Sequence, residues 1–319
     1  MYNQKKLVVS HAPFYHDGTR VPNRNFNIIL AALPAVLMGF YRFGIPAIAV
    51  FSLSVSSAVL WELAINYLRK SPKSIGDGNA AVIGIIFAML LPAVIPWWLV
   101  IVGTFIAVVI GQAVFGGIGG NPFNPAVVSM LILSISWGYH LDFNEAYVNY
   151  QFDFAAIYPL TALKNLGVSA IQGFQTGDLL MGEQIGAIGS VFGLGLIIGG
   201  IYLIIKGIVR WEISVSFIIG IIVAALIFKF AAPDKYAGPM FHLFTGYTLI
   251  AAFFLAPEES SSPVNFLPMI IYGLLGGFMT ILIRNIGAYV DGALYAIIIV
   301  NLLNPLLDKI RPKAIGKVE

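Results

Sequence analysis

Apolar residues run along this chain in long blocks, not in the stripes of a water-soluble helix or the alternation of a surface strand. A helix needs about 20 consecutive apolar residues to cross a bilayer. Ten blocks approach that length: 26–43, 45–68, 80–96, 97–115, 125–139, 186–208, 211–232, 240–256, 264–284 and 290–307. Each predicts a helix. Blocks 80–96, 125–139 and 240–256 are short or carry Pro and Gly, which predicts broken helices sheltered by protein or lining a cavity. The first 25 residues hold no apolar stretch, so no cleaved leader is expected within them.

Two runs echo each other. VIGIIFAMLLP (82–92) is similar to YTLIAAFFLAP (247–257), and PAVLMGFYRFG (34–44) to LIIGGIYLIIKG (196–207). Both matches fall at the same ordinal place in two sets of five blocks. Five is odd, so the two sets would be inverted about an axis in the membrane plane. The predicted organisation is an N-terminal segment 1–25, a first membrane repeat 26–139, a loop 140–185, a second repeat 186–308 and a tail 309–319. The fold class expected is an all-α integral membrane protein of about ten helices.

Composition agrees. Of 319 residues 59% are hydrophobic and 10% charged, against about a quarter charged in soluble domains. Cysteine is absent, so the chain supplies no disulfide, thiolate zinc site or iron–sulfur cluster. Of the 18 basic residues, only Arg42, Lys164, Lys229, Lys235 and Arg284 fall outside or at the outer helix ends when the N-terminus is placed inside. That bias predicts both termini cytoplasmic and the 140–185 loop external.

The least helical stretch is GQAVFGGIGGNPFNP (111–125), whose glycines and prolines forbid a continuous helix. Gly117, Gly119 and Gly120 would let backbone approach a flat ligand. Asn121 and Asn124 each offer a donor and an acceptor, as a heterocycle edge needs; equally, they would cap helix ends. Ionisable groups inside the blocks are functional candidates by default. Glu62 reads either as a snorkelling group or as a carboxylate on an ion path. Asp291 reads as an ion-path group or as a favourable charge at a helix start. His242 is a lone histidine, more often filler than ligand, Asp77 a candidate cap for the third block, and Lys229 and Arg284 are expected to snorkel outward.

GGIGGNPFNPAVV resembles the signature of the RnfD/NqrB family of membrane flavoproteins. Its members belong to the Rnf complexes (ion-translocating ferredoxin:NAD oxidoreductases) and to the sodium-pumping NADH:quinone reductase. SPKSIGDGNAAVIGIIFAMLLP, DLLMGEQIGAIGSVFGLGLIIGGIYLIIKG, FHLFTGYTLIAAFFLAP and VDGALYAIIIVNLLNPLLD resemble further motifs of that family in the same order. The resemblance implies a flavin-carrying subunit of an Rnf-type complex in a bacterial or archaeal cytoplasmic membrane, relaying electrons coupled to Na⁺ or H⁺ movement. It implies that Asn121 and Asn124 contact a non-covalent riboflavin or FMN near the cytoplasmic side. It also implies partner subunits, iron–sulfur and flavin-bearing ones included, and nothing suggests nucleic acid.

The family further carries FMN esterified to a threonine in an external (S/T/A)-(G/A)-A-T-P-L segment. Here the matching segment is AAIYPL (155–160), and Tyr158 stands at the threonine position; Thr161 lies outside the motif. A threonine phosphoester needs an aliphatic hydroxyl, so FMN at this loop is expected without a covalent bond. APEESSSP (256–263) also departs from the family's ATDPV. From another class, a channel or secondary transporter for a small polar solute would also use two inverted five-helix repeats, and a structural anchor for redox subunits is a third reading.

Overall fold

The computed structural model describes residues 20–70 and 75–310. Lys5, Lys6, Lys73, Arg311, Lys313 and Lys317, used above for orientation, lie outside the described residues. Those described are helical and irregular, with no strand.

The first half holds α1 (Val21–Phe43), α2 (Ile45–Arg69), α3 (Asn79–Leu90), α4 (Trp97–Phe105) and α5 (Pro125–Trp137). Outside the membrane blocks come three short helices, α6 (Phe143–Ala146), α7 (Pro159–Leu166) and α8 (Thr176–Met181). The second half holds α9 (Gly193–Ile205), α10 (Trp211–Ala231), a broken element α11 (Pro239–Phe244) and α12 (Thr248–Ile250), then α13 (Phe266–Ile286) and α14 (Ala293–Leu307). All ten apolar blocks are therefore present as elements. Five are long and apolar enough to cross a bilayer: α1, α2, α4 with its extension to Phe115, α10 and α13.

Packing follows the same plan in both halves. α2 packs on α3 and α4, and α10 packs on α11 and α13; α4 meets α5 as α13 meets α14. Across the halves, α1 lies against α9 and α5 against α14, joining elements of equal rank as a two-fold relation would. α10 and α13 make the most extensive of these contacts, and small residues explain it. A Cβ on Gly220 would strike the backbone of Leu274, and one on Gly277 the backbone of Phe217. Without those side chains the two backbones approach closely, as membrane helices do.

The lipid-facing surface is apolar. Ile45 is 81% and Phe230 80% exposed, and only 22% of the central window of α2 is buried. Such surface in water would be a vast exposed patch; in hydrocarbon it is at home.

The elements end where sequence stops them. Gly44, at φ 68°, closes α1 and turns the chain at once into α2. α3 stops at Leu90, and LPAVIP (91–96) is irregular. In the second half the residues before Gly193 are irregular too, so the 186–208 block becomes a helix only from α9. That irregular stretch is tied to the α3 end: Ile188 N–H donates to the Leu91 carbonyl at 3.0 Å and Gly189 N–H to Met89 at 3.0 Å. Two π-turns, Ile106–Ile110 after α4 and Ala251–Leu255 after α12, widen their helices; such bulges recur at functional sites.

The 138–192 region is built rather than loose, and it covers the molecular end opposite the Gly-rich stretch. Tyr147 stacks on Phe43 at 4.8 Å, accepts from Ala93 N–H at 3.0 Å and donates to the Gly186 carbonyl at 2.9 Å. Burial pushes its phenol far above its ordinary pKa, so it stays a donor. Tyr150 donates to the Phe43 carbonyl at 3.2 Å.

Candidate functional site

Among the pockets of ligand size, two lie at opposite ends of the molecule and carry the candidate residues. The inner cavity, about 350 Å³, opens between the halves. The first half contributes Arg24 and Asn25 at the start of α1, Asn79 at the start of α3, and Gln112, Gly119 and Asn124 from the Gly-rich stretch. The second contributes Phe253 and Phe254 of the π-turn and Pro257, Glu258 and Glu259 beyond it.

Local chemistry fixes each wall. Gly116, Gly117 and Gly119 take φ of 111°, 97° and 84°, values open to glycine and strained for other residues. Their loop ends at Asn124, the N-cap of α5: its Oδ1 accepts from Ala126 N at 3.1 Å and Val127 N at 3.3 Å, with Pro125 at the first helical position. Asn124 Nδ2 donates to the Leu255 carbonyl at 3.1 Å, joining the first half to the second-half π-turn. Of the two roles open to Asn124, capping is the one formed here, and one amide N–H remains for a guest.

Asn121 is buried but does not line the cavity. Its Nδ2 donates to Phe123 O at 3.0 Å and reaches both Glu258 oxygens at 3.3 Å, while its Oδ1 has no partner. Glu258 is thus held between halves, since it also accepts from Ser261 N–H and O–H at 3.0 and 2.6 Å. Gly120 also stands away from the cavity, its Cα against the Phe115 carbonyl. Gly117 lines a neighbouring hollow with Glu62, Asn66 and Arg69.

Several cavity groups were not singled out from sequence. Asn79 Nδ2 donates to Gln112 Oε1 at 2.9 Å, setting two amides side by side, and Asp77 Oδ1 caps Asn79 N at 2.8 Å. Asn25 donates to the Asp77 carbonyl at 2.8 Å. Arg24 pairs with Glu259 at 2.7 Å, yet its buried Nε has no partner among the described residues. Burial raises the Glu259 carboxyl above its usual range despite Arg24. The signal in sequence was faint: polar residues at the ends of apolar blocks, normally read as interfacial.

The outer pocket, about 360 Å³, is walled by Phe143, Tyr158, Thr161, Tyr247, Tyr289 and Tyr295, with Asp142 and Asp291. Tyr158 caps the start of α7 and is 4% exposed. Its N–H donates to Asn144 Oδ1 at 2.9 Å, its ring lies 4.8 Å from Phe143, and its hydroxyl faces Asp291 without a hydrogen bond of ordinary length. Burial first, then Asp291 and Tyr247, raise this phenol well above its ordinary pKa.

Asp291 is no free carboxylate. It caps α14 through Ala293 N at 3.0 Å, accepts Tyr247 N at 2.7 Å, and pairs with Arg284 at 2.8 Å. Arg284 does not snorkel outward, contrary to expectation. It is buried, and also donates to the His242 carbonyl at 2.9 Å and to Thr248 Oγ1 at 2.8 Å. The reason is the gap between α11 and α12, whose freed carbonyls need donors in a dry environment. His242 is fully buried there, with neither ring nitrogen partnered. Among the described residues no group of His, Asp and Glu could hold a metal ion.

FMN's phosphate finds no match in the outer pocket: no lysine or arginine lines it and two carboxylates do. The expectation of FMN at this loop therefore has no support in the wall chemistry.

Fold and pockets together define a polytopic all-α membrane protein with a ligand-sized cavity between two similar halves. The chain belongs to the NQR2, RnfD, RnfE family, whose description matches residues 8–316. It is 34% identical over 309 residues, 96% of this chain and 94% of the relative, to the D subunit of the Na(+)-translocating ferredoxin:NAD(+) oxidoreductase complex of Acetobacterium woodii. It is 30% identical to the D subunit of the ion-translocating oxidoreductase complex of Aeromonas salmonicida, over 97% of this chain and 98% of that one. The counterpart in Colwellia psychrerythraea is 29% identical over 98% of both. Membership in a family of oxidoreductase subunits sets the channel reading aside.

Proposed function

We propose that this chain holds a non-covalent flavin in the inner cavity and relays electrons as the membrane subunit of an Rnf-type ion-translocating oxidoreductase. The observation that carries this is the buried Arg24 Nε, a donor without a partner among the described residues, in a cavity that also presents paired amides and two phenylalanines. The donor set suits a flavin: Asn79 and Gln112 offer hydrogen bonds to a heterocycle edge, Phe253 and Phe254 an apolar wall. A flavin bound there supplies one- and two-electron transfer. Arg24, its charge balanced by Glu259 at 2.7 Å, offers its spare Nε–H as a hydrogen-bond donor, and the apolar wall limits water. The cavity walls come from both halves, so a change in the guest's charge acts on their interface, where Glu258 and Asn124 already bridge them. That supports coupling of electron transfer to movement of Na⁺ or H⁺. Glu62 lines the adjoining hollow, which supports it as a carboxylate on the ion path.

The absence of cysteine and of a dinucleotide-binding fingerprint means the iron–sulfur and NADH steps belong to partner subunits. In this reading the complex sits in the bacterial cytoplasmic membrane, with the inner cavity and both termini cytoplasmic. A single cysteine at Ser169, in the otherwise cysteine-free chain, is expected to label only from outside; labelling only from the cytoplasm overturns that orientation.

Flavin absorbance of the purified chain tests the cofactor. Asn79→Ala with Gln112→Ala removes buried hydrogen bonds of about 1–3 kcal/mol each, so occupancy drops by one to two decades while the complex assembles. A colourless wild-type chain, or unchanged flavin in the double variant, sinks the assignment.

A further inference from the structure

The outer pocket has a chemistry of its own. Its walls are aromatic: Tyr289 and Tyr295 stack with centroids 4.0 Å apart, and Phe143 and Tyr158, 4.8 Å apart, also line it. Tyr158 is buried to 4% exposure and its hydroxyl is unpartnered. A buried hydroxyl left without a partner is costly unless a guest satisfies it. The nearby cations are engaged elsewhere. Lys164 donates to the Gly287 carbonyl at 2.8 Å and to the Tyr289 carbonyl, and Arg284 is spent on Asp291, His242 and Thr248. Asp142 and Asp291 remain on the wall.

Building on the flavin-carrier reading, we infer that the outer pocket excludes phosphate-bearing flavin, esterified or free, and seats an uncharged planar ring, riboflavin being the flavin it takes. An ester at Tyr158 would have to form on an oxygen shut from solvent, and its phosphate would lie against Asp291. A free FMN phosphate would meet the Asp142 carboxylate, and among the described residues no lysine or arginine lines the pocket to offset it. An uncharged ring meets neither penalty: its edge carbonyl accepts from the Tyr158 hydroxyl, and its faces lie on the aromatic walls. Asp291, already neutralised by Arg284, does not repel it.

The test is a pair of titrations of the flavin-stripped full chain in nanodiscs, one with riboflavin and one with FMN, read by flavin fluorescence. Two riboflavins bind per chain, whereas FMN binds the outer pocket at least tenfold more weakly. Tyr158→Phe keeps the ring and removes the donor, weakening the outer riboflavin about five- to tenfold, the factor of one hydrogen bond. Asp142→Asn keeps the side-chain oxygen that Asn144 N–H donates to at 2.9 Å, removes the charge, and raises FMN affinity there more than riboflavin affinity. The denatured wild-type chain shows no flavin fluorescence on a gel.

Equal affinity for FMN and riboflavin at the outer pocket overturns the inference. So does a fluorescent denatured band, or a single riboflavin per chain that neither variant alters. Asn79→Ala with Gln112→Ala empties only the inner cavity. Loss of one riboflavin in that double variant upholds the inner assignment whatever the outer pocket does; retention of both sinks the inner assignment and leaves the outer one standing.

Discussion

The inner cavity and the outer pocket are almost equal in size, about 350 and 360 Å³, yet they differ in their polar groups and in construction. The inner one is assembled by loops and helix ends from both halves, walled by amides and supplied with a cation, Arg24. The outer one is walled by tyrosines and floored by Asp291, whose charge is locked to a buried arginine. Size therefore says little about what each accepts. Charge and the direction of spare hydrogen-bonding groups decide it: a spare Arg24 Nε inside, a spare tyrosine hydroxyl outside.

The contrast breaks most visibly at the Arg284–Asp291 pair. Arg284→Ala leaves Asp291 buried without its partner and strips donors from the α11–α12 break, which should cost about 3–5 kcal/mol. Thermal unfolding in detergent should show it as the largest loss of any variant here. Arg284→Met with Asp291→Leu removes both charges and should recover part of the loss. An Arg284→Ala chain as stable as wild type would mean the outer floor is not held by this pair.

Next in size is the inner bridge. Glu258→Ala frees Asn121 and Ser261 and should cost about 1–3 kcal/mol, with inner flavin lost more readily and outer pocket binding unchanged. Equal effects on both pockets would show that the two are not independent. Asn124→Ala removes the α5 cap at about 1 kcal/mol, whereas Asn124→Asp keeps the acceptor and should hold stability while losing the link to Leu255. Thr161→Ala is the smallest change, within about 0.5 kcal/mol, and should leave the denatured chain as free of flavin fluorescence as before. A fluorescent wild-type band that this variant darkens would place an attachment at Thr161.

Much of the inner site was legible in the sequence. The NPFNP run announced a helix start, and Asn124 with Pro125 forms one; the glycines announced a turn, and three of them take positive φ. What stayed hidden was the partner of each group. Nothing local says that Asn121 meets Glu258, 137 positions away, or that Asn79 and Gln112 face each other. Arg284 was misjudged for the same reason. An arginine near the end of an apolar helix ordinarily reaches for water, and only the break between α11 and α12 gave it buried carbonyls to serve.

The sequence by itself determined that this chain lives in a membrane and that its ten apolar blocks become elements, although the 186–208 block is helical only from Gly193 and α3 stops at Leu90. Those properties depend on runs of neighbours: burial of apolar length, glycine and proline as stops, caps at helix starts. Tertiary structure alone decided which polar groups are spent and which are spare. In a dry interior each donor and acceptor must find a partner wherever the fold brings one. Among the described residues Arg24 Nε and the Tyr158 hydroxyl found none at ordinary hydrogen-bond length, and that distinction exists only once the helices are packed.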